Sequence, residues 1–153
     1  MKKTGMYYQS PIGLIWLEED NGCVSALRFA NERLENESDT PLLKECEKQL
    51  SEYFAGKRKD FDLPLAQSGT SFQEQAWEYM ANIPYGKTVS YKEESVAIGK
   101  PKACRAVGSA NGKNNIAIIV PCHRVIASDG SLGGYAYGIE IKKKLLALEQ
   151  KYK

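Results

Sequence analysis

One histidine, four scattered cysteines and no long apolar run mark what this 153-residue chain does without. A single imidazole, His123, with no close Cys/His cluster argues against a structural zinc site, which wants four converging ligands. Cys23, Cys46, Cys104 and Cys122 form no CxxC pair, in a chain too large and core-rich to need disulfide staples, so reduced thiols are expected. No apolar stretch approaches the roughly 18 residues that span a bilayer. The longest, Ile116 to Val120, reads as a short strand. MKKTGMYYQS at the start carries lysines with no apolar segment behind them, so no signal peptide, a cytoplasmic location and no membrane partner are expected. The aromatic poverty of disordered chains is also missing: nine Tyr, four Phe and two Trp supply core-forming surface.

A strong charge of one sign is absent too, since 21 Lys+Arg stand against 19 Asp+Glu. The balance conceals an asymmetry. Up to Gln67 the chain holds 9 basic and 12 acidic residues, and from Ser68 onward 12 and 7, so the halves carry net charges of −3 and +5. That is a weak pointer to an anionic partner for the second half.

The first half reads as a small antiparallel sheet with one covering helix. Met6 to Gln9, Ile12 to Leu17 and Cys23 to Phe29 are rich in branched and aromatic residues, and Asp20, Asn21 and Gly22 supply hairpin turn chemistry. Thr40 and Pro41 open a helix whose Leu43, Cys46, Leu50, Tyr53 and Phe54 recur at helical spacing before Gly56. The mixed segment 57–69 is the natural boundary, giving two domains, 1–67 and 68–153. The second is mostly helical. Ser71 with Glu74 reads as a capping box for a helix that buries Phe72, Ala76, Tyr79, Met80 and Ile83 and stops at Pro84. Ser90 with Glu93 repeats the device for a helix from Tyr91 to Ile98, and Pro101 opens another to Ala110 with Ala103, Ala106, Val107 and Ala110 as its buried stripe. Helix, Gly-containing turn, helix is the helix-turn-helix pattern, although many αα-hairpins never meet DNA. Lys102, Arg105 and Ser109 fall on the other face of that last helix, a cationic ridge among small residues that suits a DNA groove or a tight protein contact.

Ile116 to Val120 runs into Pro121, Cys122, His123 and Arg124, which places a thiol at the end of a rigid element beside a base and a cation. An unperturbed thiol, with pKa about 8.5, needs such a neighbour to become a nucleophile. In extended chain, residues i and i+1 face opposite ways, so Cys122 and His123 would meet only through a turn or a water.

The string IVPCHRVI, together with PIGLIWL, GTSFQ, IPYGKTVSY, GKPKACRAVGSAN and LLALE, closely resembles the O6-alkylguanine-DNA alkyltransferase family, and the likeness covers most of the chain. The resemblance implies an α+β protein, a ribonuclease H-like N-terminal domain before a winged-helix-like C-terminal one. It implies irreversible, single-turnover transfer of an alkyl group from guanine O6 to Cys122, without a cofactor, by a monomer that binds double-stranded DNA in the minor groove and flips the lesion out. By the same resemblance His123 is the base acting through a water, Glu149 its orienter, Asn114 the tie between the active-site turn and the helix-turn-helix, and Tyr91 the residue that assists base rotation and departure. Arg105 fills the gap left by the flipped base, with Lys102, Ala103 and Ser109 beside it on DNA. Cys122, Val125, Tyr135, Ala136 and Tyr137 bound the guanine pocket. Asn115 and Ala117 replace frequent prolines, Tyr137 stands where Gly is frequent and is expected to narrow the pocket, and Glu94 replaces an aliphatic residue without explanation. Two other readings are a lesion-binding alkyltransferase-like protein, in which the acceptor cysteine is typically missing, and a cysteine hydrolase using Cys122 and His123.

Overall fold

The structure, a computed structural model, describes residues 3–153. Met1 and Lys2, part of the N-terminal segment read above for a leader, lie outside it. The chain divides into two compact units, one ending at Gln67 and the other beginning at Ser68.

In the first unit β1 (Lys3–Ser10), β2 (Gly13–Asp20) and β3 (Cys23–Ala30) form an antiparallel sheet in sequence order. The β2–β3 turn is carried by Asn21 and Gly22, both at positive φ, 55° and 81°, which is the backbone a two-residue hairpin needs. The strands outrun the expected ones because charged Glu18, Glu19 and Asp20 continue the ladder at the sheet's end. Helix α1 (Pro41–Phe54) starts where Thr40 Oγ1 accepts the Leu43 N–H at 3.0 Å, and it packs on all three strands. Leu43, Cys46, Leu50 and Tyr53 meet Ile15, Leu17, Val24 and Leu27 in a fully buried core. Burial pushes the Cys46 thiol up to about 12, so this cysteine packs and does not react.

The second unit contains α2 (Ser71–Ala81), β4 (Val89–Ser90), α3 (Tyr91–Ala97), α4 (Cys104–Gly112), a 3₁₀ turn at Cys122–Arg124, β5 (Val125–Ile126) and α5 (Ile139–Lys151). The α2 cap differs from expectation. GTSFQEQ offers two overlapping boxes, and the chain uses Thr70 with Gln73, while Glu74 accepts from the Gly69 N–H instead. Trp77, absent from the expected face, is buried there, and its indole N–H donates to the Ala110 carbonyl at 2.9 Å. Phe72 and Tyr79 are only half-buried.

Ser90 and Glu93 cap α3 as expected. Helix α4 begins later than expected, at Cys104, with Pro101 and Lys102 in the preceding turn. It buries Val107, Ala110 and Asn111, positions i, i+3 and i+4; Ala106 is exposed and Ala103 half-buried, so the predicted alanine stripe is only partly right. The run Ile116–Val120 is no strand. Its backbone folds into a buried turn with Ile118 at φ 69°, where Val120 N–H donates to Ile116 O at 3.0 Å. A short apolar run reads alike as strand or buried turn, and here Asn114 decides: its Nδ2 donates to Val120 O at 2.8 Å and its Oδ1 accepts from Ile116 N–H. The strand pairing in this unit is a parallel one, Val89–Ser90 with Val125–Ile126. Among the described residues no helix is long and apolar enough to cross a membrane.

Candidate active site

Pro121, at φ −83° and ψ 68°, centres an inverse γ-turn in which Cys122 N–H donates to Val120 O at 2.8 Å. The chain then tightens into the 3₁₀ turn. Cys122 and His123 are therefore successive residues of a helical turn and not of a strand, about 120° apart around its axis. The expected divergence of the two side chains survives on a different geometry. Cys122 keeps part of its surface open, and His123 is fully buried.

Behind His123 lies a buried ion cluster. Its Nε2 is 2.7 Å from Glu149 Oε2, and Arg124 spans the same carboxylate, Nε to Oε1 at 2.8 Å and Nη2 to Oε2 at 3.0 Å, while Nη1 donates to Ile83 O. Burial disfavours the Glu149 charge, but the hydrogen bonds and charges of His123 and Arg124 prevail and hold its pKa down to about 2. Burial lowers the His123 pKa against the pull of Glu149, so the ring is neutral near neutral pH. An ionised carboxylate only accepts, which puts the ring proton on Nε2 and leaves Nδ1 as a bare base. Nδ1 is buried with no partner among the described residues.

Cys122 opens onto a cavity of about 290 Å³ whose wall also includes Tyr91, Gly108, Asn111, Tyr135 and Ala136. Burial raises the thiol pKa, and the Asn114 hydrogen bond and the Lys142 charge pull it back. Tyr91 opens α3, and its hydroxyl reaches toward Gly134 O at 3.5 Å. Gly133, at φ 71°, lets the loop pass that ring: a Cβ there would sit 2.9 Å from it. Tyr137 does not itself line the cavity; its ring meets that of Tyr135 edge-on at 5.7 Å. Val125, also expected at the pocket, is not in the cavity wall; its carbonyl accepts from Lys142 Nζ at 2.7 Å. Arg105 and Ser109 are exposed on α4, Lys102 is exposed in the turn before it, and Ala103 is half-buried at its N-cap. The structure thus gathers Cys122, Tyr91, Tyr135 and Ala136 on one cavity, with His123, Asn114 and Glu149 behind the thiol.

Two features escaped sequence reading. Lys142 is fully buried in α5, its Nζ bonded to the carbonyls of Val125, Leu132 and Gly134, and burial pushes its pKa down to about 8. Its signal was the spacing of 142, 145 and 149 on one helix face inside a run that looked solvated. Glu94 is also fully buried and bonds Asn111. The sequence marked it only as a carboxylate where an aliphatic residue is usual, which fits a buried position.

Comparison with known proteins bears on both units. The family described as 6-O-methylguanine DNA methyltransferase, ribonuclease-like domain, matches residues 5–67, and its DNA binding domain matches residues 71–151. The methylated-DNA–protein-cysteine methyltransferase of Methanosarcina barkeri is 49% identical over 95% of this chain and 98% of its own. The constitutive one of Bacillus subtilis is 43% identical over 93% and 92%. Among solved structures, the Mycobacterium tuberculosis O6-methylguanine methyltransferase has 41% identity and a TM-score of 0.91, covering 99% of this chain and 95% of that one. The same organism's OGT in complex with DNA has 43% identity and a TM-score of 0.88, covering 98% and 93%. Matched in both of its units by one family, the chain belongs to the 6-O-methylguanine DNA methyltransferases.

Proposed function

We propose that the protein repairs DNA by direct reversal, moving an alkyl group from guanine O6 to the Cys122 sulfur once and irreversibly. The observation that carries this is the thiol at the cavity wall backed by a neutral His123 with a bare Nδ1 and an ionised Glu149. The thiol proton passes through a water to Nδ1. The sulfur then attacks the alkyl carbon as the carbon–O6 bond breaks, and the electron pair leaves with the guanine. Burial raises the Tyr91 pKa, so its hydroxyl keeps a proton to offer the departing base. The product thioether has no group that water displaces readily, so each molecule acts once.

The lesion reaches this cavity by flipping, which costs less for a poorly paired base. The exposed α4 face with Arg105 and Ser109 enters the minor groove, Arg105 filling the vacated space and Lys102 meeting phosphate. On this reading residues 1–67 are a supporting domain and 68–153 the DNA-binding and acceptor domain, in a monomeric cytoplasmic protein.

Against the lesion-binding alternative stands the presence of Cys122. Against a cysteine hydrolase stands the Cys122 amide: it is spent on Val120 O at 2.8 Å and does not serve as an oxyanion donor. Intact-mass analysis after incubation with a duplex containing O6-methylguanine tests the proposal. The expected result is one added methyl, absent in Cys122→Ala. Unchanged mass with retained binding would support the lesion-binding reading instead.

A further inference from the structure

Glu94 Oε2 and Asn111 Oδ1 are buried acceptors with no partner among the described residues, and neither takes part in the chemistry above. Glu94 is fully buried in α3, and Asn111 of α4 is only 6% exposed. The two side chains already meet, because Glu94 Oε1 accepts a hydrogen bond from Asn111 Nδ2 at 2.7 Å. Each orphan is therefore the twin of a bonded atom: Oε2 shares the carboxyl carbon with Oε1, and Oδ1 shares the amide carbon with Nδ2. An ionised carboxylate only accepts, so it closes one bond with the amide and leaves both orphans standing, each at the cost of its lost hydration. A carboxylic acid and a primary amide can close two bonds at once, N–H to C=O and O–H to C=O. One proton on Oε2 satisfies both.

The surroundings favour the neutral acid. A buried carboxylate is costly unless a cation or several donors meet it. Burial pushes the Glu94 carboxyl up to about 7, and the Asn111 bond is what pulls it back. The ionisable groups that face it are Tyr79 of α2, Tyr91 of α3 and Cys122 of the 3₁₀ turn, none of which can become a cation. Helix α4 offers the neutral Asn111 amide, while its Arg105 is exposed. Strands β4 and β5, which also pack on α3, carry no ionisable side chain.

We propose that Glu94 is a positioning residue that works as a carboxylic acid: its Oε2 carries a proton and donates it to Asn111 Oδ1, so that acid and amide close two hydrogen bonds between α3 and α4. Its effect on rate rests on the alkyl-acceptor reading of Cys122, whereas the pair itself does not. Helix α3 holds the start of α4 through Ser95 Oγ, which accepts from Ala103 N–H at 3.3 Å, and holds its end through Asn111. Between these ties lie Arg105 and Ser109, exposed, and Gly108, where a Cβ would sit 3.9 Å from the Tyr91 ring. Loss of the proton as pH rises through about 7 breaks one of the two bonds and sets a carboxylate oxygen against an amide oxygen. The end of α4 is then pushed from α3 while its start stays held, and Trp77 of α2 limits the shift through its bond to Ala110 O. The pair is a pH-sensitive tie between the helix that bears Tyr91 and the helix that bears Arg105.

Infrared spectra of the whole protein test the proton. At pH 6 the wild type should show the carbonyl band of a protonated carboxyl, which Glu94→Gln lacks, and the band should fade by pH 9. That fading is read on the wild type alone, so the proposal stays exposed even if the variant does not fold. Single-turnover transfer from a duplex containing O6-methylguanine tests the consequence. Glu94→Gln keeps both bonds, since its amide donates to Oδ1 and accepts from Nδ2, and it has no proton to lose. The ratio of wild-type to variant rate should be near one at pH 6 and fall by about threefold to tenfold at pH 9. Ionisations common to both proteins cancel in it. Glu94 also faces the thiol, so alkylation of Cys122 by iodoacetamide is followed alongside, and its ratio should hold nearly constant. Absence of the band at pH 6 overturns the proposal and hands the orphans to a water. So does a transfer ratio that ignores pH, or an iodoacetamide ratio that falls equally far, which would make Glu94 act through the thiol. A wild type that shows the band but takes no methyl at any pH overturns the alkyl-acceptor reading and leaves the acid–amide pair standing, so the two failures are told apart.

Discussion

Glu149 serves His123 and Arg124 with the two oxygens of one buried carboxylate, 2.7 Å from the imidazole Nε2 and 2.8 and 3.0 Å from the guanidinium. Replacing it by glutamine removes the charge that sets the histidine tautomer and leaves Arg124 buried without a counter-ion. Glu149→Gln is expected to slow methyl transfer by about 100-fold or more and to cost about 3–5 kcal/mol of stability. The linkage has a definite window. With a folded pKa of about 2, below the unfolded value near 4.3, the carboxylate stabilises the protein fully above that unfolded value. The contribution drains away as pH falls toward 2. Denaturant titrations across that window should show a slope in the wild type that the glutamine variant lacks.

Lys142 pins three loop carbonyls that frame the Tyr135 and Ala136 side of the cavity. Lys142→Met keeps the apolar stem and removes the donors, so the loop should loosen and transfer should slow by about tenfold or more. The wild type should also gain stability as pH rises from about 8 toward the ordinary lysine range near 10.4, since the buried ammonium is relieved of its charge there. Thermal melts of the methionine variant over that range should be flat by comparison.

Glu94 bends stability the opposite way from Glu149. Its folded pKa of about 7 lies above the unfolded value, so the wild type loses stability as pH rises from about 4.5 to 7 and stays penalised above. Glu94→Gln should match the wild type at pH 4 and exceed it at pH 8, by at most about 3 kcal/mol. Equal melting behaviour at both pH values would contradict the assignment.

Gly133→Ala places a methyl 2.9 Å from the Tyr91 ring on backbone at φ 71°. The expected result is slower transfer from duplex DNA by about tenfold to hundredfold, because the ring is displaced, with little change in the rate at which a small alkylating reagent modifies Cys122. Rapid-quench kinetics with both substrates separate the two.

Tyr137 braces Tyr135 edge-on at 5.7 Å, and Tyr135 is part of the cavity wall. Tyr137→Gly should release that wall and raise inactivation by a benzylated guanine relative to a methylated one. Equal ratios in variant and wild type would leave Tyr137 without a part in pocket size.

Legibility followed the range of the forces involved. The β2–β3 turn, the Thr40 cap and the Ser90–Glu93 box are settled by neighbours a few residues apart, and all were readable. At Thr70 and Ser71 two boxes overlap within a few residues and the chain uses the first, and the burial of Trp77 on the same helix went unread because its partner, Ala110 O, lies 33 residues away. Ile116–Val120 misled for a related reason: apolarity marks burial without specifying backbone, and Asn114 supplied the turn. Cys122 and His123 stood out by motif and Glu94 only as a carboxylate where an aliphatic residue is usual, whereas Lys142 looked like ordinary surface charge. The spacing of Lys142 with Leu145 and Glu149 was its one sign, and a helix face alone does not say whether a lysine snorkels to water or is held by three distant carbonyls.

The parallel pairing of Val89–Ser90 with Val125–Ile126 has a mechanical meaning. Ser90 leads directly into Tyr91, and Val125 closes the turn that carries Cys122, so the Tyr91 and Cys122 sides of the cavity are mounted on the two members of one ladder. The distance between Tyr91 and Cys122 is thereby held like the gap of a calliper, set by the ladder rather than by the loop that carries Tyr135 and Ala136.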